Sequence, residues 1–234
     1  MLLLVKYLLT LATKTMQTVD ASKLTLGDVQ RLLNLQKLPT GSFTNFLNLE
    51  PLTAAEEQDL FQIKNDFEEY LVSAKVSEGL IKFLTVAPLL RLAGFYRYPI
   101  KLTVEESVEI IVETEDTKIT GRLDILAVNK AETTAKNTPF WILVIETKNS
   151  SVEVRQGLPQ LLTYAFKNLE QQSSAWGLIT NGLQYLFVHL RQGEPPSYQF
   201  MPEIYFPDRD RALLLLQILK AICQLQNATA GDRQ

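Results

Sequence analysis

The chain has 234 residues, 46% of them apolar and 21% charged, which suits one globular domain with a sizeable core, or one domain carrying an arm. A net charge of -3 excludes the strongly basic character of a passive nucleic-acid binder, although a local patch is compatible with it. One cysteine, Cys223, and one histidine, His189, exclude an intramolecular disulfide, Cys-rich zinc sites and most His-dependent hydrolases, and fit a reducing cytoplasm. Any catalysis must therefore rest on carboxylates, lysine, tyrosine and a hard metal ion.

The apolar run at residues 1–9 is too short to span a bilayer and is interrupted by Lys6. It lacks the basic start and small-residue cleavage site of a secretory signal, so a terminal helix docked on the body or on a partner is expected, with Met16 as a second possible start. Residues 20–50 mix Leu-rich pieces with Pro39, Gly41 and several Asn, and read as a short helix and loops. We take residues 1–50 as an arm, 51–227 as the main domain and 228–234 as a short polar tail.

A helix is predicted from Thr53, its N-cap, to about residue 74, with Leu60, Ile63, Phe67, Tyr70 and Ala74 at helical spacing. A second runs from about Ser77-Glu78 to Ala93, stopped by Gly94. The period then changes to two, giving strands at 98–103, 107–113, 118–128 and 139–147, with the polar stretch Asn129 to Thr138 as a hairpin loop. A helix at about 157–170 follows, then a strand at 175–180, a two-residue Asn181-Gly182 turn and a strand from Leu183 to Leu190. His189 reads as a structural residue of that strand. Asp208 caps a last helix to about 225, apolar nearly all round (Leu213 to Leu216, Ile218, Leu219, Ile222) and hence buried or at an interface. The order predicts an α/β fold around a mixed sheet.

Alternation along 118–128 puts Ile119, Leu123, Ile125 and Ala127 on one face and Lys118, Thr120, Arg122 and Asp124 on the other. A carboxylate amid Leu123, Ile125 and Leu126 is unfavourable unless paired or bound to metal. The next strand is apolar until Glu146 and Lys148, which point the same way about 7 Å apart along the strand. If the two strands are antiparallel neighbours, Asp124 and Glu146 can share an ion. With the Thr147 carbonyl they form a hard-oxygen set of the kind Mg²⁺ prefers. Phosphodiester hydrolysis needs an in-line water and neutralisation of phosphate charge, which such an ion and Lys148 supply. The plain alternative is a surface salt bridge at a strand end.

Asp124, then Glu146-Thr147-Lys148, then Gln160-Leu161-Leu162-Thr163-Tyr164 resembles the PD-(D/E)XK nuclease superfamily. The Q-x-x-x-Y motif is similar to those of type I restriction enzyme R subunits and RecB-type nucleases. Gly157-Leu158-Pro159-Gln160, Trp176-Gly177-Leu178-Ile179-Thr180-Asn181-Gly182, Ser77-Glu78-Gly79-Leu80 and Ala87-Pro88-Leu89-Leu90 with Gly94 also resemble the R-subunit N-terminal domain, over roughly residues 66 to 190. The resemblance implies a restriction-endonuclease-like mixed sheet flanked by helices, and a Mg²⁺-dependent (or Mn²⁺-supported) nuclease acting on DNA. It assigns metal binding to Asp124 and Glu146 and catalysis to Lys148. Gln160 and Tyr164 share one helix face and either reach phosphate or support the site; Tyr164 reads equally as a core aromatic. Glu78 either completes the metal shell or answers the helix dipole, and Arg122 either contacts phosphate or pairs with a carboxylate.

Leu123 stands where the superfamily often has Pro, and the chain carries no phosphate-binding G-x-x-x-x-G-K-[ST] loop, so it does not move DNA by itself. Separate motor and specificity subunits, or a homodimer for cutting both strands, are the expected partners, with no membrane span. Two other readings stand beside this one: a non-catalytic nuclease-fold binding or assembly module, and an enzyme of non-nucleic phosphate esters.

Overall fold

A computed structural model describes residues 16–133 and 139–225. The terminal helix expected over residues 1–9, the tail at 228–234 and the second half of the expected loop, residues 134–138, lie outside the described residues. β1 (Gln17–Asp20) leads to α1 (Leu26–Leu32), which opens on a capping box: the Thr25 hydroxyl accepts from the Asp28 N–H, and the Asp28 carboxylate accepts from the Thr25 N–H. β2 (Gln36–Lys37) follows. α2 (Ala54–Ser73) starts from Thr53 as expected, with a second capping box through Glu56. Only Leu60 and Phe67 of its expected stripe are buried, and Tyr70 is half exposed, because this helix lies on the outside of the layer.

The second helix begins after Ser77 and stops at Gly94, whose φ of 100° only glycine adopts readily. It is not one α-helix. α3 (Glu78–Ile81) passes through a π segment at Lys82–Val86 before α4 (Ala87–Ala93), an irregularity that hydrophobic spacing does not encode.

The strands expected at 98–103 and 107–113 form a single strand, β3 (Ile100–Val112). β4 (Thr117–Thr133) continues five residues into the stretch expected as loop, and β5 (Pro139–Thr147) returns antiparallel to it. α5 (Leu158–Leu169) carries the chain over to β6 (Ser174–Thr180), which lies parallel to β5. The turn before β7 (Gln184–Arg191) uses residues 181–183, one more than expected. Asn181 Oδ1 accepts from the N–H groups of both Leu183 and Gln184, an Asx-type closure that a two-residue turn does not need. β8 (Ser197–Phe200), β9 (Ile204–Tyr205) and α6 (Arg209–Cys223) complete the chain. β1, β2, β8 and β9 were not expected; they are two to four residues long, too short for a period to show.

Among the described residues these make one nine-stranded mixed sheet in the order β1-β4-β5-β6-β7-β8-β2, with β3 on β4 and β9 on β7. Helices cover both faces, as the restriction-endonuclease-like α/β architecture requires. One core joins Leu60 and Phe67 of α2, Leu89 and Leu90 of α4, and Leu215, Leu216, Leu219 and Ile222 of α6 to Ile145, Leu178 and Phe187 of the sheet. The apolar last helix is thus buried inside the domain. The other core joins Val29 of α1 and Leu161, Leu162 and Ala165 of α5 to Val144, Ile179 and Leu186. His189 is a core residue, its ring 4.4 Å from that of Phe46 and 4.7 Å from that of Trp176. No described helix is long and apolar enough to cross a membrane.

Candidate active site

The site is made possible by an interruption of the β4 ladders. β4 pairs with β3 along one edge, while its other edge pairs with β1 at 117–120 and with β5 only from Ile125 onward. Residues 121–124 are left between these two partners. On the β3 side one pair is also missing, Glu105 opposite Asp124, and Glu105 has a left-handed φ of 54°. The register is the same on both sides of this break, but the pleat changes phase. Ile119 and Leu123 enter the core with α5, whereas Ile125 and Ala127 enter the opposite core. The single apolar face expected for these four residues is therefore wrong, and the change of phase falls at Asp124.

Asp124 stands one step beyond the Ile125–Ile145 pair, across from Glu146, as the antiparallel arrangement requires. Its Oδ2 accepts from the Thr147 backbone N–H (2.7 Å) and from the Thr147 hydroxyl (2.5 Å), so the carboxylate continues hydrogen bonding where the ladder ends. Its Oδ1 accepts from Lys82 Nζ at 2.5 Å. Lys82 is the first residue of the π segment and was not singled out from the sequence. The available signal was its position one turn after Glu78, on the helix that the nuclease resemblance includes.

On the other side, Lys148 Nζ donates to Glu146 Oε1 and to Gln160 Oε1, both at 2.8 Å. Gln160 and the Arg122 backbone lie close enough to the Tyr164 hydroxyl to pull its pKa down against the effect of burial. On the edge of β4 between β1 and β5, residues 121–124 have no strand partner, and Tyr164 packs against them at Gly121. A Cβ at Gly121 would lie 2.5 Å from the Tyr164 hydroxyl oxygen, so only glycine permits the approach. Gly157 does the same for the start of α5, since a Cβ there would meet Ile179 at 2.9 Å and Glu146 and Lys148 at 3.3 Å.

Burial dominates the electrostatics. The Glu146 side chain is 4% exposed, and its carboxyl is pushed up to about 7, first by burial and further by the negative charges of Asp124 and Glu78, against the pull of Lys148. Tyr164 is pushed up to about 12 by burial and stays a neutral donor and acceptor. Glu146 Oε2 is buried and has no hydrogen-bond partner. Among the described residues no three His, Cys, Asp or Glu side chains converge as a ready-made metal cluster. The donors that could hold an ion are Glu146 Oε2, Asp124 and the Thr147 carbonyl, with Glu78 close enough for its charge to be felt at Glu146.

With this geometry in place, the chain can be set beside known protein families. Residues 90–204 match the family model of the type I restriction enzyme R protein N terminus (HSDR_N). No curated protein matches the chain. The family match covers just under half of the sequence; it contains Asp124, Glu146, Lys148, Gln160 and Tyr164 and begins after Glu78 and Lys82.

The fold thus brings Asp124, Glu146, Thr147, Lys148, Gln160 and Tyr164 together, with Glu78 at the margin. The Arg122 backbone lies beside the Tyr164 hydroxyl, while its exposed side chain pairs with Glu105 at 3.1 Å.

Proposed function

We propose that the protein is a metal-dependent nuclease of the PD-(D/E)XK type, Q-x-x-x-Y branch, that hydrolyses DNA phosphodiester bonds as the cutting part of a restriction-type system. The observation that carries this reading is a buried carboxylate with one free oxygen, Glu146, beside a lysine held between two acceptors, Lys148. The likeness of residues 90–204 to the restriction R protein N terminus supports it. Glu146, Asp124 and the Thr147 carbonyl would hold Mg²⁺ or Mn²⁺, with Glu78 supplying further negative charge. A bound ion of this kind polarises the phosphate and lowers the pKa of an attacking water.

The chain's own residues do the rest. Two of the three Lys148 N–H donors are directed to Glu146 and Gln160, which leaves the third for the attacking water or a phosphate oxygen. Gln160 positions that lysine, its amide oxygen accepting from Lys148, and Tyr164 lies beside Gln160 on the same helix face. These 234 residues hold no phosphate-binding motor loop, so translocation and sequence choice would be supplied from outside them.

The test is cleavage of supercoiled plasmid and of single-stranded DNA by the purified protein with Mg²⁺ or Mn²⁺. Cleavage should need the ion and should vanish in Glu146→Ala and Lys148→Ala. Equal residual cleavage in wild type and both variants would reject the reading.

One observation favours the second reading, a non-catalytic binding or assembly module: both Asp124 oxygens already have protein partners. Titration with Mn²⁺ by calorimetry separates the two, since no binding at millimolar ion would favour the module.

A further inference from the structure

Lys82 lies where the nuclease reading needs a metal ion. Its Nζ is 2.5 Å from Asp124 Oδ1, and the two side chains are only 28% and 18% exposed. With Oδ2 taken by Thr147, Asp124 offers no unshared oxygen to a cation, whereas Glu146 keeps Oε2 without a partner. An ammonium and a divalent ion cannot both sit on one carboxylate oxygen in a partly buried site, because like charges a few ångströms apart repel strongly there. Lys82 has a long flexible stem and can leave Asp124 without any movement of the helix.

Charge supplies the second argument. With all three carboxylates ionised, Glu78, Asp124 and Glu146 face two ammoniums, Lys82 and Lys148, an excess of one negative charge. A divalent ion would reverse that to one excess positive charge. A displaced Lys82 would then need a new anion, and a substrate phosphate beside the ion is the anion such a site would draw in.

Resting on the nuclease reading, we propose that Lys82 is the resident cation of this site: it holds Asp124 in the metal-free protein, is displaced when a divalent ion binds Asp124 and Glu146, and then donates to a phosphate oxygen of the bound DNA. Metal and DNA therefore favour each other. The ion frees the lysine that binds phosphate, the phosphate draws that lysine off the metal ligand, and the coupling is reciprocal.

The experiment is calorimetric titration of the full chain with Mn²⁺, without DNA, in wild type, Lys82→Met and Lys82→Gln, followed by anisotropy with a labelled duplex in Ca²⁺. Both variants should bind Mn²⁺ about 10-fold tighter than wild type, a size typical of site-to-site coupling. They should also bind duplex more weakly. Asp124→Asn combined with Lys82→Met should remove the gain. Equal Mn²⁺ affinity in wild type and both variants would overturn the role of Lys82 while leaving the metal site standing. Absence of Mn²⁺ binding in every variant would overturn the metal site itself. Tighter Mn²⁺ binding with unchanged duplex affinity would overturn the phosphate step.

Discussion

Glu146 on β5 and His189 on β7 are alike in three respects. Both are nearly inaccessible, both keep one buried atom without a hydrogen-bond partner, and both are moved from their ordinary pKa mainly by burial, Glu146 up to about 7 and His189 down to about 4. Their neighbours differ. His189 is stacked between Phe46 and Trp176, and the only charge that adds to its shift is Arg191. Glu146 is bonded to Lys148 and feels Asp124 and Glu78. A shifted pKa alone therefore identifies buried polar groups of either kind. Convergence of opposite charges around a free oxygen is what separates the site from the core.

The strongest way to break this contrast is activity. Glu146→Gln and Lys148→Ala should each lower metal-dependent cleavage by about 10³-fold, the scale for losing one preorganised charged group. His189→Gln should leave the cleavage rate of the folded protein within about twofold, as expected for a residue outside the reacting geometry. A comparable loss in the histidine variant, read in the same plasmid assay, would erase the distinction.

The next effect is on stability, and the two residues should act in opposite directions of pH. For Glu146 the folded pKa lies above the ordinary value, so its contribution is full below about pH 4.5 and is lost as pH rises to about 7. In EDTA, Glu146→Gln should gain on wild type over that window, by up to about 3 kcal/mol. For His189 the folded pKa lies below the ordinary value, so stability is lost as pH falls from about 6.5 to about 4, by a similar amount. His189→Gln should flatten that acid limb. Urea midpoints between pH 4 and 8 read both, and limbs of the same sign would refute the assignment.

Smaller effects probe the support around Lys148. Tyr164→Phe removes a hydroxyl that sits beside Gln160 and the Arg122 backbone, and should cost about 1 kcal/mol of stability, the scale of one hydrogen-bonding group. Cleavage should fall with it, through a Lys148 less firmly held. Gly121→Ala should cost a similar amount by driving a methyl into Tyr164. The smallest effect is expected at Arg122→Ala, within about 0.5 kcal/mol, because its ion pair with Glu105 is exposed on both sides. Thermal melts in EDTA order these three variants.

Much of this was legible before any coordinates. Thr53, Ser77 and Asp208 announced helix starts because their side chains accept from N–H groups that a first turn cannot satisfy, and each does so in the structure. Glu146 and Lys148, two apart at the end of an apolar strand, had to point the same way, and Gln160 and Tyr164, four apart on a helix, had to share a face. The phase change at Asp124 was not legible. It depends on Glu105 of the neighbouring strand and on the separate ladders of β1 and β5, and so on residues far apart in the chain. Lys82 was missed for the same reason: a lysine on a helix becomes part of a site only when the fold sets it against a carboxylate 42 residues away.

By itself the sequence determined the identity and order of the chemical groups: two carboxylates, a lysine, and a glutamine and tyrosine one helical turn apart. These follow from the periodicities of strand and helix, which are properties of the local backbone. Only the tertiary structure decided how they are electrically satisfied. It buried Glu146 with one oxygen free, placed Lys82 on Asp124 and admitted Tyr164 at Gly121, because burial and charge pairing depend on which distant elements close over a site.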